Sequence, residues 1–375
     1  MFDDVLGIVI DNGTYSTKLG FSGDDSPKFE IPTLKNEIIH KGLKKGDQKK
    51  PKNNNYIKEN TDFYIEKKLI EQKQIVDFDE MEKFWEYSFK EVLQIDPSEV
   101  IVLLTEPPLN PKKKREKAIQ IMFETFNIQG YYTSLTSVLS LYSSGRTTGL
   151  ILELGEDSIY SSAVYEGYSL PHTIQNFPFG SSHLTNYLSQ KLEKLGTSYP
   201  QEIRQTISRD IKEKNCYVAL DFKKESKEIK EKIVFNGFGS DDKNIPIKLG
   251  KELIECSEIL FKPSIIGLEE TPNIAEIMYN TNSKSDVSIR KDLCGNIILD
   301  GATSLLPGLV ERTKEEFDYL IPITIRSKFV RFDKNSISSW LGGSILSSLR
   351  TFGSMWVTKW DYDNEGPAVV HRKCF

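Results

Sequence analysis

Two segments of the chain repeat one plan, and this repetition limits the folds open to it more than any other feature. The apolar run Val5-Leu6-Gly7-Ile8-Val9-Ile10 ends in Asp11-Asn12-Gly13, a sequence biased toward a tight hairpin turn, and Thr17 to Phe21 follows as a returning strand. Much later Leu150-Ile151-Leu152-Glu153-Leu154-Gly155 does the same. It returns through Ser161 to Tyr165 and runs into Gly167 and Pro171, much as the first copy runs into Gly23 and Pro27. In each copy an apolar strand delivers a carboxylate (Asp11, Glu153) and a glycine follows two residues later (Gly13, Gly155). Hydroxyl side chains fill the turn or the return strand: Thr14, Ser16 and Thr17 in one, Ser158, Ser161 and Ser162 in the other. Two facing hairpins of this kind can clamp one ligand. Backbone N–H groups and hydroxyls in a tight turn suit an anion, a carboxylate at a strand end can hold a hydrated divalent cation, and Lys18 adds a point charge. Taken singly, Asp-Asn-Gly is more often only a turn; its recurrence in a related copy makes phosphate binding a candidate function.

Between and after the copies, strand and helix patterns alternate. With Asp79 as N-cap, the residues Met81, Phe84, Trp85, Phe89 and Val92 keep helical spacing, and Val100 to Leu104 forms a short buried strand. Further helices are marked by Ala118, Ile119, Met122, Phe123 and Phe126, and by Leu135, Val138, Leu139 and Tyr142, the second stopped near Gly145. Such alternation predicts an α/β architecture. A third candidate ligand loop, Asp300-Gly301-Ala302-Thr303-Ser304, follows the strand-like Asn296 to Leu299 and precedes a helical run from Leu309 to Phe317; its bland alternative is an ordinary strand-to-helix connection. Arg209 to Lys214 reads by default as a solvated helix face. Between Lys35 and Asp62 the composition changes abruptly. Lys41, Lys44, Lys45, Lys49, Lys50 and Lys52 crowd together ahead of Asn53-Asn54-Asn55, which predicts a surface excursion.

A length of 375 residues makes two domains the natural expectation. No apolar run approaches the roughly 20 residues that span a bilayer, and the start, Met1-Phe2-Asp3-Asp4, is acidic where a secretory signal is basic. A cytosolic or nuclear protein without membrane insertion is expected. Cys216, Cys256, Cys294 and Cys374 lie too far apart for a zinc ribbon or a disulfide framework. None of His40, His172, His183 and His371 pairs at helical spacing with another histidine, which argues against a transition-metal centre. The net charge of -5 argues against generic nucleic-acid affinity. Lys112-Lys113-Lys114-Arg115 reads as the start of a helix rather than a localisation signal.

Several longer segments carry a resemblance. They are Asp11-Asn12-Gly13 with Lys18 and Gly23-Asp24-Asp25; Leu104-Thr105-Glu106-Pro107-Pro108-Leu109-Asn110-Pro111; Phe123-Glu124-Thr125-Phe126-Asn127; and Leu139 to Tyr142 with Ser144 to Gly149. Later come Tyr165-Glu166-Gly167-Tyr168, Arg209 to Lys214 with Tyr217 to Phe222, Ile289 to Leu293, Trp340 to Leu346, and the terminal Val370 to Phe375. Over essentially its whole length the chain thereby resembles actin and the actin-related proteins. The resemblance implies an α/β, duplicated, ribonuclease-H-like fold of two lobes and four subdomains around a central nucleotide cleft, holding ATP or ADP and Mg2+. The first subdomain would comprise 1–32, 69–143 and 338–375, the second 33–68 with the Lys/Asn-rich insertion, the third 144–179 and 271–337, and the fourth 180–270. By position, Asp11 and Glu153 would flank the cation through water. Gly13, Thr14, Tyr15, Lys18, Gly155, Glu156 and Asp157 would meet phosphates, and Lys212, Glu213, Gly301, Ala302 and Thr303 would border the nucleoside.

The departures from the family gather where its chemistry occurs. Tyr15 replaces a glycine of the first phosphate turn, removing freedom for close backbone approach. The family's water-positioning glutamine falls on Thr136 and its histidine on Tyr160, so both supports of hydrolysis are substituted. Glu153 replaces an aspartate, Leu154 a serine and Asp157 a glycine; on the purine side Ser336 replaces a lysine and Leu306 a tyrosine. Because phosphoryl transfer depends on placing water and stabilising spreading charge, a weak or absent ATPase is expected. The family's partner groove would be lined by Tyr142, Gly145, Thr147, Leu346, Leu349 and Met355, close to actin. The tract Lys41 to Asn55, in contrast, offers a neighbouring protomer little apolar area.

The resemblance implies actin or actin-like protomers and groove-binding actin regulators as partners, and a place in the cytoplasm and cytoskeleton with the nucleus as the alternative. Three readings stand at this point: a divergent actin with slow hydrolysis and altered self-assembly; a non-polymerising actin-related subunit of a cytoskeletal or chromatin assembly; and a phosphotransferase of the wider sugar-kinase superfamily. The actin-like carboxyl terminus opposes the third.

Overall fold

The computed structural model describes residues 5–39, 63–196, 200–236, 246–330 and 335–374. The Lys41 to Asn55 tract lies outside them. Two sheets organise the described residues, one in each lobe. The first runs in the order Val357–Thr358, Gly130–Leu135, Val100–Glu106, Leu6–Asn12, Ser16–Phe21, Phe29–Pro32. The second runs Tyr168–Ser169, Ile159–Tyr165, Gly149–Leu154, Ile297–Asp300, with Gln175–Phe177 added against Ile159–Tyr165.

The duplication read from the sequence is present in the pairing. In the first sheet Leu6–Asn12 pairs antiparallel with its hairpin partner and parallel with Val100–Glu106 on its other side. In the second, Gly149–Leu154 pairs antiparallel with Ile159–Tyr165 and parallel with Ile297–Asp300. Strands flanked on both edges and covered on both faces should be apolar throughout. Ile8, Val9 and Ile10 are fully buried, as are Leu150, Ile151 and Leu152. Each lobe has its own core, and a smaller cluster of Val138, Leu141, Ile151, Val164 and Ile298 lies under the helix Thr136–Ser143.

That helix crosses a second one, Ser338–Ser348, at the junction of the lobes. The crossing is close because Gly342 stands against a main-chain carbonyl: a Cβ there would lie 1.8 Å from the Leu139 oxygen. On its other side the helix Ser338–Ser348 is tied to the first sheet by Trp340, whose indole Nε1 donates to the Val9 carbonyl at 3.1 Å.

Local readings from the sequence need some adjustment. The strand Leu6–Asn12 extends through Asp11 and Asn12, so Asp-Asn-Gly is the end of a strand and not the centre of a turn. The loop is Gly13 to Tyr15, between the strands ending at Asn12 and starting at Ser16, and Asn12 pairs with Thr17 across it. The helix Phe78–Tyr87 is capped by Asp77 and not by Asp79: Asp77 Oδ1 accepts from the N–H groups of Asp79 and Glu80 at 3.1 and 3.2 Å. Phe89 and Val92 follow in the wider-wound turn Ser88–Leu93. Helix Thr136–Ser143 stops before Gly145, whose φ of 71° favours glycine. The basic run does open a helix, Lys112–Gln120. Its charges are used internally, Lys114 Nζ donating to the Ile75 carbonyl at 2.8 Å and Arg115 Nε to Glu106 Oε2 at 3.0 Å. All four cysteines are free and buried, and among the described residues no helix is long and apolar enough to cross a membrane.

Candidate functional site

The two hairpin loops are alike in their atoms as well as their sequence. Gly13 N–H donates to the Ser16 carbonyl at 3.1 Å, and Gly155 N–H to the Ser158 carbonyl at 3.0 Å. A Cβ on Gly13 would lie 2.6 Å from the Ser16 oxygen and one on Gly155 2.8 Å from the Ser158 oxygen, so only glycine allows these closures. The loops meet across the cleft. Thr14 Oγ1 donates to Asp157 Oδ1 at 3.2 Å, although the two residues belong to opposite lobes.

Behind the loops sit the carboxylates. Asp11 is buried, and its Oδ1 accepts from Thr105 Oγ1 at 2.7 Å. Glu153 is buried too; its Oε2 accepts from Thr136 Oγ1 at 2.7 Å and from the Lys73 ammonium. Burial raises the Glu153 pKa, the Lys73 charge opposes that, and Asp300 adds to it; the net shift is upward. Burial pulls the Lys73 pKa down, but Glu153, Asp300 and Asp11 outweigh it and the ammonium is favoured. Tyr160 is buried, with its pKa pushed up to about 12, chiefly by that burial. Its hydroxyl donates to the Gln72 carbonyl at 3.2 Å.

The remaining expected residues divide. Tyr15 is 45% exposed, and the Arg209 guanidinium lies 4.0 Å from its ring centre, a cation–π contact across the cleft. Arg209 also pairs with Glu156 at 2.8 Å. Lys212 is buried, donates to Thr185 Oγ1 at 3.0 Å and to the Ser181 hydroxyl, and has its pKa lowered by burial. The solvated face expected for Arg209 to Lys214 is therefore wrong for these two residues, while Glu213 is exposed. A single helix, Gln201–Asn215, carries both kinds because its inner face covers the second lobe. Lys18 stays near the first loop, 3.9 Å from Glu30.

Gly301 has a φ of 89° and stands so close to the second hairpin that a Cβ would lie 2.5 Å from the Leu154 oxygen. Thr303 is buried and Ala302 exposed beside it. The neighbouring Asp300 is buried and accepts from Ser339 Oγ at 3.2 Å, from the Ser140 and Ser338 hydroxyls, and from Gly301 N–H at 2.6 Å. Of the expected groove residues, Tyr142, Leu346 and Met355 pack partly against the first core, Leu349 is 48% exposed, and Gly145 has open space around it. A separate surface hollow lies in the second lobe between Thr148, Tyr165, Asp292 and Arg326.

Gln72, Lys73 and the Arg209–Tyr15 contact were not foreseen, whereas Asp300 opens the third candidate loop. Ile70-Glu71-Gln72-Lys73-Gln74-Ile75 has the composition of an exposed hairpin tip, and nothing in it signals contact with a carboxylate far along the chain.

These residues fit a nucleotide at the two loops. Glycine closures bring the backbone to the mouth of the cleft, and Ser158 Oγ and Glu153 Oε1 are buried without a hydrogen-bond partner among the described residues, so hydrogen-bonding capacity remains. They fit a hydrated divalent cation on Glu153 less well, because the Lys73 ammonium already stands there. A family model described as Actin matches residues 2–375. Together with two duplicated hairpins facing each other across a two-lobed α/β fold, that match over nearly the whole length identifies the chain as a member of the actin family, a family of proteins that bind ATP or ADP with Mg2+.

Proposed function

We propose that this chain is an ATP- or ADP-binding, actin-like cytoskeletal protein whose hydrolysis of ATP is weak or absent and whose self-assembly is altered. The observation that carries this reading is the commitment of the two hydroxyls at the water-positioning places. Thr136 Oγ1 is spent on Glu153 and Tyr160 OH on the Gln72 carbonyl. Each has its one proton committed and can meet a water only as an acceptor, which weakens the positioning of a water for attack on a terminal phosphate, the main protein contribution to phosphoryl transfer. Nucleotide binding draws on other groups. The loop closures at Gly13 and Gly155, the hydroxyl of Thr14, Lys18, and the border formed by Lys212, Glu213 and Gly301 to Thr303 would hold phosphates and nucleoside. A bound Mg2+ in this family neutralises phosphate charge; of the two carboxylates expected to face it through water, Asp11 and Glu153, the second already carries the Lys73 ammonium.

The second reading, a non-polymerising actin-related subunit of a cytoskeletal or chromatin assembly, draws support from the direct Thr14–Asp157 bond. A cleft tied by its own side chains needs nucleotide turnover less. Both readings keep the groove of Tyr142, Gly145, Thr147, Leu346, Leu349 and Met355 as the face for actin-like protomers or groove-binding regulators, in the cytoplasm or the nucleus.

The test is phosphate release during sedimentation of the purified chain with ATP, magnesium and salt. Slow release is expected from the wild type, and the double substitution Thr136→Gln, Tyr160→His should raise it about tenfold or more. Rapid release by the wild type would refute the reading. Pelleted filaments would select the divergent actin; a folded chain that stays in the supernatant at every concentration would select the subunit.

A further inference from the structure

The turn between the short strands Ile70–Glu71 and Gln74–Ile75 carries Gln72 and Lys73, with φ values of 49° and 62°. Left-handed backbone costs a residue with a side chain about 1–2 kcal/mol, and glycine or asparagine is the economical choice there. Two long side chains in such places persist only where surrounding contacts hold the turn.

The turn is fastened to the second hairpin. Gln72 N–H donates to Asp157 Oδ2 at 2.8 Å, and its carbonyl accepts from Tyr160 OH. The stem of Lys73 then lies over the glycine of the second loop: a Cβ on Gly155 would be 3.3 Å from the lysine Cε. The ammonium ends on Glu153 Oε2, 5.7 Å from the centre of the Tyr160 ring. Lys73 also lines, with Asn12 and Thr105 of the first lobe, a cavity of about 30 Å³. The lysine therefore stands between both hairpins, on the carboxylate that a cation would otherwise claim.

An ammonium has three donors. One is used on Glu153, the only hydrogen-bond acceptor it reaches among the described residues. The geometry points to Lys73 as the resident cation of this cleft: it takes the place of a divalent ion on Glu153 and turns its remaining N–H groups to the terminal phosphate of a bound nucleotide. This rests on the nucleotide reading given above. Its consequence is that ATP binds without a divalent cation. The rival is an ion pair that merely latches the turn, in which case the phosphates still depend on magnesium.

Calorimetric titration of the full chain with ATP, in excess MgCl2 and in excess EDTA, separates the two. The wild-type affinity should change by less than about threefold between the buffers. Lys73→Gln should lose about tenfold or more in EDTA and much less in MgCl2, whereas Lys73→Arg, keeping the charge, should follow the wild type. Thermal unfolding of each ligand-free variant reports whether it folds, and the wild-type comparison stands without either variant. A wild type that loses about tenfold or more in EDTA overturns the assignment and leaves nucleotide binding intact. So does a Lys73→Gln variant as indifferent to chelation as the wild type. A wild type that binds no ATP in either buffer overturns the nucleotide reading and this inference with it.

Discussion

Neutralising Asp157 should strengthen ATP binding and weaken the empty protein, and the two effects come from the same atoms. The Asp157 carboxylate receives Thr14 Oγ1 at 3.2 Å and the Gln72 N–H at 2.8 Å, the kind of donors that would otherwise serve a phosphate between the loops. A carboxylate and a phosphate charge about 5 Å apart repel by about 3 kcal/mol at an effective dielectric near 20. Asp157 is only partly buried, so solvent and salt reduce this to about 1–1.5 kcal/mol. Asp157→Asn should therefore raise ATP affinity about tenfold. Thr14 and Gln72 donate to different oxygens of Asp157, so the amide keeps its oxygen on the Gln72 N–H and turns its NH2 to the Thr14 hydroxyl, which then accepts; exchanging two charge-assisted bonds for neutral ones is a loss of about 1 kcal/mol in total. For a chain of this size that lowers the melting temperature of the ligand-free protein by about 1–2 °C. Calorimetry with ATP, with adenosine as the uncharged control, and a thermal melt without ligand measure both sides. Unchanged or weaker ATP binding, with adenosine binding intact, would show that Asp157 does not compete with phosphate.

Two further outcomes follow from the fold. Gly342→Ala places a methyl group 1.8 Å from the Leu139 carbonyl oxygen; main chain cannot yield as a side chain can, so the variant should lose about 3 kcal/mol or more by chemical denaturation, and wild-type stability would contradict the close crossing. Glu258, buried with Oε2 unpartnered among the described residues, has its pKa pushed up from 4.5 to about 7 by burial, with Arg312 opposing and Glu316 adding. A carboxyl favoured in its protonated form by the fold contributes stability below its unfolded pKa and loses it as pH rises toward the folded one. The wild type should thus lose about 1–2 kcal/mol between pH 4.5 and about 7 relative to Glu258→Gln, seen as a difference in the slope of melting temperature against pH; parallel slopes would count against it.

The duplication was legible because it is written in local sequence. Apolar strand, carboxylate and glycine recur in order, and strand pairing reproduces that order on both sides of each hairpin. The loops were misplaced by a residue or two because Asp-Asn-Gly is a statement about turns in general, whereas the register Asn12 to Thr17 is set by the sheet. What the sequence hid are contacts between distant segments. Lys73 reaching Glu153 and Arg209 reaching Tyr15 depend on how two lobes face each other, and each of these side chains is individually ordinary. Lys212 was hidden for another reason: a charge run on a helix looks solvated until the helix acquires a buried side.

The crossing of the helices Thr136–Ser143 and Ser338–Ser348 also bears on how the molecule can move. Where side chains interlock, two bodies turn only by climbing rotamer barriers; where a glycine rests on a main-chain carbonyl, as Gly342 does on Leu139, the contact is smooth and acts as a bearing. Ser140 from one helix and Ser338 and Ser339 from the other all donate to Asp300 beside it, so the two helices are tied together at one point, about which a turn disturbs fewer contacts than a slide. A small angle at this axle becomes a larger displacement at the distant lips of the cleft, where Thr14 and Asp157 touch. The lever gives the contacts across the loops, Thr14 to Asp157, Gln72 to Asp157 and Arg209 to Tyr15, authority over whether the jaws stand open or shut.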